Sequence, residues 1–179
     1  MKNPRTAMIV MIAVIIFSVL FGSRRSLYAE RSRVESAFLN GVEGDGFSIG
    51  NDLNIRVGES LNLITIAKRY LDGNDPAIRA VQEACDRLNE SDDPSDMFDA
   101  NQRLTEACTA LSDKLAGLPL SEKDEKYRLG IVDELKSRND TISHDGYNDL
   151  AEKFNARLES FPANILSRLT GVKPISLFQ

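Results

Sequence analysis

Residues 7–22 read AMIVMIAVIIFSVLFG, a run without a single charge. Thr6 and Ser23 extend it to about 18 residues, close to the ~20 that carry a helix across a bilayer core. It is apolar on every face, so a helix here has no polar stripe to turn toward water. Lys2 and Arg5 flank one side, and Arg24 and Arg25 the other. We read it as a retained membrane anchor over residues 6–23, behind a short flank at 1–5 and ahead of a helical domain at 24–179. A cleaved signal peptide is the competing reading. It wants a shorter apolar run, roughly 7–15 residues, and small residues at the cut. The one A-x-A-like stretch ends at Ala29, with Leu27 two places earlier, and the paired arginines resemble a stop-transfer flank. The third reading, the core helix of a soluble domain, conflicts with the all-round apolarity. By the positive-inside rule, Arg24, Arg25, Arg31 and Arg33 outweigh Lys2 and Arg5, which favours a cytoplasmic C-terminal domain.

The charge is divided along the chain. No acid precedes Glu30, while four bases do. Taking those four from the 22 bases leaves 18 against 27 acids, a net charge of −9 for the remainder. Such a domain repels nucleic acid and anionic headgroups, and no basic stripe with interleaved aromatics offsets that. No nucleic-acid partner is expected. Aromatics make up only 7% and tryptophan is absent, so aliphatic side chains must fill the core, which suits helices better than a β-sandwich.

Past the arginines, Leu27, Val34 and Phe38 keep helical spacing. Residues 41–50, GVEGDGFSIG, then break it with four glycines. No strand precedes this stretch and no Lys-Ser or Lys-Thr follows, so it reads as a connector and not a phosphate loop. Leu53, Val57, Leu61, Ile64, Ala67 and Leu71 mark the next helix, which stops at DGNDP. Pro76 suits the first turn of another, carrying Ile78, Val81, Cys85 and Leu88. After SDDPSD at 91–96 come Met97, Leu104, Cys108, Leu111, Leu115 and Leu118, nearly a heptad seam of coiled-coil type. GLP at 117–119 ends it, and Ser121 with Asp124 resembles a capping box. Ile131, Leu135, Ile142, Leu150, Phe154 and Leu158 then hold one face. A single helix over 122–160 would span roughly 55–60 Å, and Gly130 and Gly146 are the points where it would bend or break. A short helical turn, ANILSRL, follows Pro162. The spacing predicts an all-α protein: a transmembrane helix running into an up-and-down antiparallel bundle of long helices, the longest within 121–161.

No catalytic constellation emerges. His144 is the only histidine, sits in the polar stretch SHDG and has no G-x-S-x-G elbow to serve. Zinc needs three or four ligands, and one histidine with two distant cysteines makes no motif. Asp92, Asp93, Asp96 and Asp99 lack the order of a calcium loop and read as capping acids at a turn. No metal, cofactor or catalytic residue is expected, and no enzyme activity. Cys85 and Cys108 fall on apolar helix faces either side of the 91–96 turn. Two buried thiols is one reading; a disulfide in an oxidising compartment is the other.

The stretch YNDLAEKFNARLESFPANIL, residues 147–166, followed by GVKPISLF, residues 171–178, resembles the C-terminal part of the LemA family. The matching positions are Tyr147, Asn148, Asn155, Phe161 and Pro162, then Gly171, Val172, Lys173 and Pro174. Residues 52–71, DLNIRVGESLNLITIAKRYL, resemble the family's segment of paired basic residues followed by L-I-P-N-L-V more loosely. The second arginine and the proline are missing, and Asn62 stands for the family's asparagine. The aromatic segment that follows the anchor in the family is changed here, and the glycine-rich stretch resembles an insertion. The resemblance implies one membrane anchor and a long antiparallel helical domain. It supplies no catalytic residue. Asn148 and Asn155, seven apart on one helix face, are candidates for setting register or, with Tyr147 and Asn62, for binding a partner. The expected function is a membrane-anchored interaction or scaffold protein of the bacterial envelope with a protein partner. The alternative is a ligand-sensing domain reporting through its anchor.

Overall fold

A computed structural model describes residues 4–42 and 47–179. Lys2 of the N-terminal flank and residues 43–46 of the glycine-rich connector lie outside the described residues. Among those described there are seven helices and no strand: α1 (Pro4–Asn40), α2 (Ile49–Ala67), α3 (Pro76–Glu90), α4 (Pro94–Ala116), α5 (Glu122–Ser143), α6 (Tyr147–Glu159) and α7 (Ala163–Thr170). The protein is all-α, as its periodicity predicts.

The starts of α2 to α5 are written in local chemistry. Ser48 caps α2 by accepting from the Asn51 N–H, Asp75 caps α3 at Ala77, and Asp93 caps α4 at Ser95. Pro76 and Pro94 stand just inside α3 and α4, where the missing N–H costs nothing. The capping box at α5 is half formed. Ser121 Oγ accepts from the Asp124 N–H at 3.1 Å, but the Ser121 N–H donates to the Tyr70 hydroxyl. Asp124 turns instead to α2's end and takes bonds from Tyr70 at 2.6 Å and Arg69 at 2.5 Å. α1 ends at Gly41, whose φ of 86° suits glycine and whose N–H returns to the Ala37 carbonyl.

The chain forms two compact units: one of residues up to Ser36 together with Asp149–Ile175, the other of Ala37–Asn148 together with Ser176–Gln179. The larger unit holds an up-and-down bundle of α2 to α5. Its directions follow from bonds between helices. Asp52 pairs with Arg138 and Arg69 with Asp124, so α2 and α5 are antiparallel. Arg56 bonds Thr105 and Ser60 bonds Cys108, so α2 and α4 are parallel. Leu63, Ala67, Val81, Leu104, Leu111 and Leu115 are fully buried between them. The closest pairings are α3 with α4 and α2 with α5, while α4 and α5 meet less closely. An aromatic group of Phe38, Phe98, Tyr147 and Phe178 belongs to the same unit, with ring centroids 5.0–6.0 Å apart.

The smaller unit buries Leu27 and Val34 of α1, Ala151, Phe154 and Leu158 of α6, and Val172 and Ile175 of the C-terminal segment. Arg157 pairs with Glu30 at 2.8 Å, and Arg31 donates to the carbonyls of Lys173 and Pro174. Thus α1, expected to run into the bundle as its first member, packs along its second half with α6 and the C-terminal segment.

Two further expectations change. The single helix over 122–160 is two helices, because Asp145 Oδ1 accepts the Tyr147 N–H at 2.7 Å and restarts the chain as α6. Gly130, the other candidate break, lies inside an unbroken α5. Of the helices that lie wholly within 24–179, α4 at 23 residues is slightly longer than α5 at 22, so the domain's longest element is not the one within 121–161.

Candidate functional site

The residues singled out near the C-terminus hold the chain's own last segment. Asn148 Nδ2 donates to the Phe178 carbonyl at 3.0 Å, and its Oδ1 accepts the Phe178 N–H at 2.8 Å. Asn155 does the same with Ile175, both bonds at 2.8 Å. The side-chain amide offers donor hydrogens and an acceptor side by side, so each asparagine pairs with both backbone groups of one residue as a neighbouring strand would. The spacings agree: seven residues of helix rise about 10.5 Å, and three residues of extended chain span about 10 Å. Tyr147, almost fully buried, donates its hydroxyl to the Ser176 carbonyl at 2.8 Å. What these asparagines register is thus the extended C-terminal segment and not a helix pair. Asn62 is not part of this arrangement. It is exposed on α2, with its amide donating to Glu59 at 3.3 Å.

The other sequence candidates fall out simply. His144 is exposed at the α5 C-terminus, with Nδ1 2.8 Å from the Asp140 carbonyl oxygen. Among the described residues no group of His, Cys, Asp or Glu could hold a metal ion. Cys85 and Cys108 are buried on facing helices as the hairpin predicts, yet both are free thiols, so the disulfide reading is not realised here. Cys108 Sγ donates to Ser60 Oγ at 3.1 Å. Burial first, then the neighbouring Cys108, pushes the Cys85 thiol up to about 11.

The feature that sequence reasoning missed is Arg56. It stands on α2 in the stripe of Leu53, Val57, Ser60 and Ile64, a base among core positions, which was the available signal. Its side chain is only 1% exposed. Nη2 donates to Thr105 Oγ1 at 2.6 Å and Nη1 to the Leu135 carbonyl. Nε is buried with no acceptor, and no carboxylate among the described residues pairs with the group. Burial lowers its pKa, opposed by Cys108, but a guanidinium stays charged at any relevant pH. A buried charge normally brings a counter-charge, because desolvation costs several kcal/mol.

Arg56 lines a cavity of about 360 Å³ along the loosely packed seam of α4 and α5. Thr105, Cys108, Val132 and Leu135 form much of its wall, with Lys136, Asp113 and Asp140 also lining it. A second recess continues along the seam, sharing Thr105, Asn139 and Ser143. There Asn101, also buried, gives its amide hydrogen to Asn139 and leaves its oxygen without a donor. The seam thus holds a cation and a polar acceptor that the protein itself does not satisfy.

Fold and site together describe a helical protein with one long apolar helix, a four-helix bundle and an asparagine-pinned C-terminal segment. The chain matches the LemA family over residues 47–179 and belongs to it. That match begins after α1 and takes in the whole four-helix bundle, α6, α7 and the pinned segment. No curated protein matches the chain, and no solved structure does.

Proposed function

We propose that this protein is a membrane-tethered interaction protein of the bacterial envelope, acting by binding and not by turnover. The observation that carries the reading is α1. It is the one helix among the described residues long and apolar enough to cross a membrane, and its apolar window is wholly exposed. A soluble protein that left Met8, Ile12, Ile15, Phe17 and Phe21 in water would aggregate. Directly after the run, Arg24 lies 5.3 Å from the centre of the Tyr28 ring, a basic-aromatic pair of the kind that sits at a headgroup layer.

A second apolar surface in the same unit supports the reading. Ile165 and Leu169, 51% and 66% exposed, lie four apart on one side of α7, and Phe161 in the turn before it is 80% exposed. Glu30, paired with Arg157, stands about 10 Å beyond Ser23 along α1, and Phe161 is about 6 Å beyond Arg157 along the chain. An exposed apolar face near the chain's C-terminal end is the kind of surface that can rest on a bilayer. Tethering confines the bundle to two dimensions and raises its effective concentration toward membrane partners.

The test is complementation of a deletion strain by a chain lacking residues 1–26, paired with crosslinking of the intact protein in cells. The reading expects failed complementation and loss of crosslinked partners. Full complementation by the untethered chain would defeat it, as would a purified protein that turns over a substrate with His144 required. The ligand-sensing reading is favoured by one observation of its own, the cavity over Arg56.

A further inference from the structure

We propose that the cavity between α4 and α5 is a binding site for a small carboxylate, whose anionic group takes the place opposite Arg56 that no protein side chain fills. This rests on the second reading above, that the cavity accepts a ligand, and adds the ligand's chemical class. Arg56 is 1% exposed, lines the cavity and has a buried Nε without an acceptor. Its Nη bonds go to a hydroxyl and a backbone carbonyl, neutral acceptors that leave the positive charge uncompensated. A carboxylate meets a guanidinium through short charge-assisted bonds and returns most of the desolvation cost of both groups. The volume of about 360 Å³ falls in the range of small-molecule sites, and Val132 and Leu135 supply an apolar wall.

The remaining charges narrow the ligand. Asp113 and Asp140 line the same cavity as Lys136. Two carboxylates in the wall oppose a multiply charged anion such as phosphate. They welcome a ligand that carries an ammonium group at the end away from its carboxylate. A zwitterion of amino-acid size satisfies both ends, and the seam's polar acceptor at Asn101 lies further along for a longer one.

The experiment titrates the full chain in detergent micelles with 4-aminobutanoate, acetate, propylamine and inorganic phosphate. It follows binding by calorimetry in every variant and, in the parent protein, by the Arg56 Nε–H resonance, which Arg56→Met identifies by removing it. The expected result is a saturable shift with 4-aminobutanoate, a weaker one with acetate, and none with phosphate. Arg56→Met should weaken 4-aminobutanoate binding by about tenfold or more, the loss of one charge-assisted pair. Thr109→Trp, an exposed position at the cavity, should block binding by filling the space while leaving Arg56 in place. Should Arg56→Met fail to fold, that second variant still decides. Propylamine binding that ignores Arg56, or phosphate binding tighter than either carboxylate, would overturn the carboxylate assignment while keeping a ligand cavity. No saturable response to any of the four would overturn both.

Discussion

Asn155 uses both ends of its amide on Ile175, so alanine there removes the partner of both the Ile175 N–H and the Ile175 carbonyl. We expect Asn155→Ala to cost about 1–2 kcal/mol and to open the last residues to carboxypeptidase while the helices stay folded by circular dichroism. Unchanged stability and unchanged protease resistance would mean that the segment is held by Val172, Ile175 and Phe178 alone. Asp124 makes a separate residue-scale prediction. Hydrogen bonding from Tyr70, then from Ser121, and the nearby Arg69 hold its carboxyl below the usual range. A lowered folded pKa gives stability that is present above the unfolded value, near 4, and is lost as pH falls through the folded one. The melting-temperature gap between the protein and Asp124→Asn should thus be flat from about pH 7 to 5 and shrink below about pH 4. A gap independent of pH would show that Asp124 acts as a neutral cap only.

At the scale of elements, periodicity was legible wherever one face is buried. Ile78, Val81, Cys85 and Leu88 define α3 by step alone, and all four are core. Leu135 is the central case on α5, buried at 7% exposure, with its carbonyl accepting from Arg56. Leu135→Ala should cost about 2–5 kcal/mol, since it removes buried methyl groups and leaves a void. A melting temperature within a degree or two of the parent's would place that face outside the core. The break between α5 and α6 was harder to read, because Ile142 and Leu150 continue the same step of three and four across it. Gly146 marks the break in the sequence, and the Asx bond of Asp145 to Tyr147, which apolar spacing does not encode, restarts the helix there. Arg56 was passed over for the opposite reason. Its position fits the apolar stripe, but a base on a stripe is usually read as a solvated edge, and its partners Thr105 and Leu135 come from α4 and α5.

The whole molecule divides its labour between units. One carries the apolar helix and an exposed apolar face at its end, and the other the bundle with its cavity. The C-terminal motif that led to the LemA family was legible as a pattern, but its work, pairing Asn148 and Asn155 with the backbone groups of Phe178 and Ile175, needed the geometry. The charge imbalance, bases before Glu30 and a net −9 for the rest, accords with the proposal that α1 is a membrane anchor. All of this depends on α1 staying attached. The direct test is the intact mass of the protein recovered from a carbonate-washed membrane fraction. The account predicts a polypeptide that still contains residues 6–23. A mature chain beginning near Glu30, released into the soluble fraction, would contradict it.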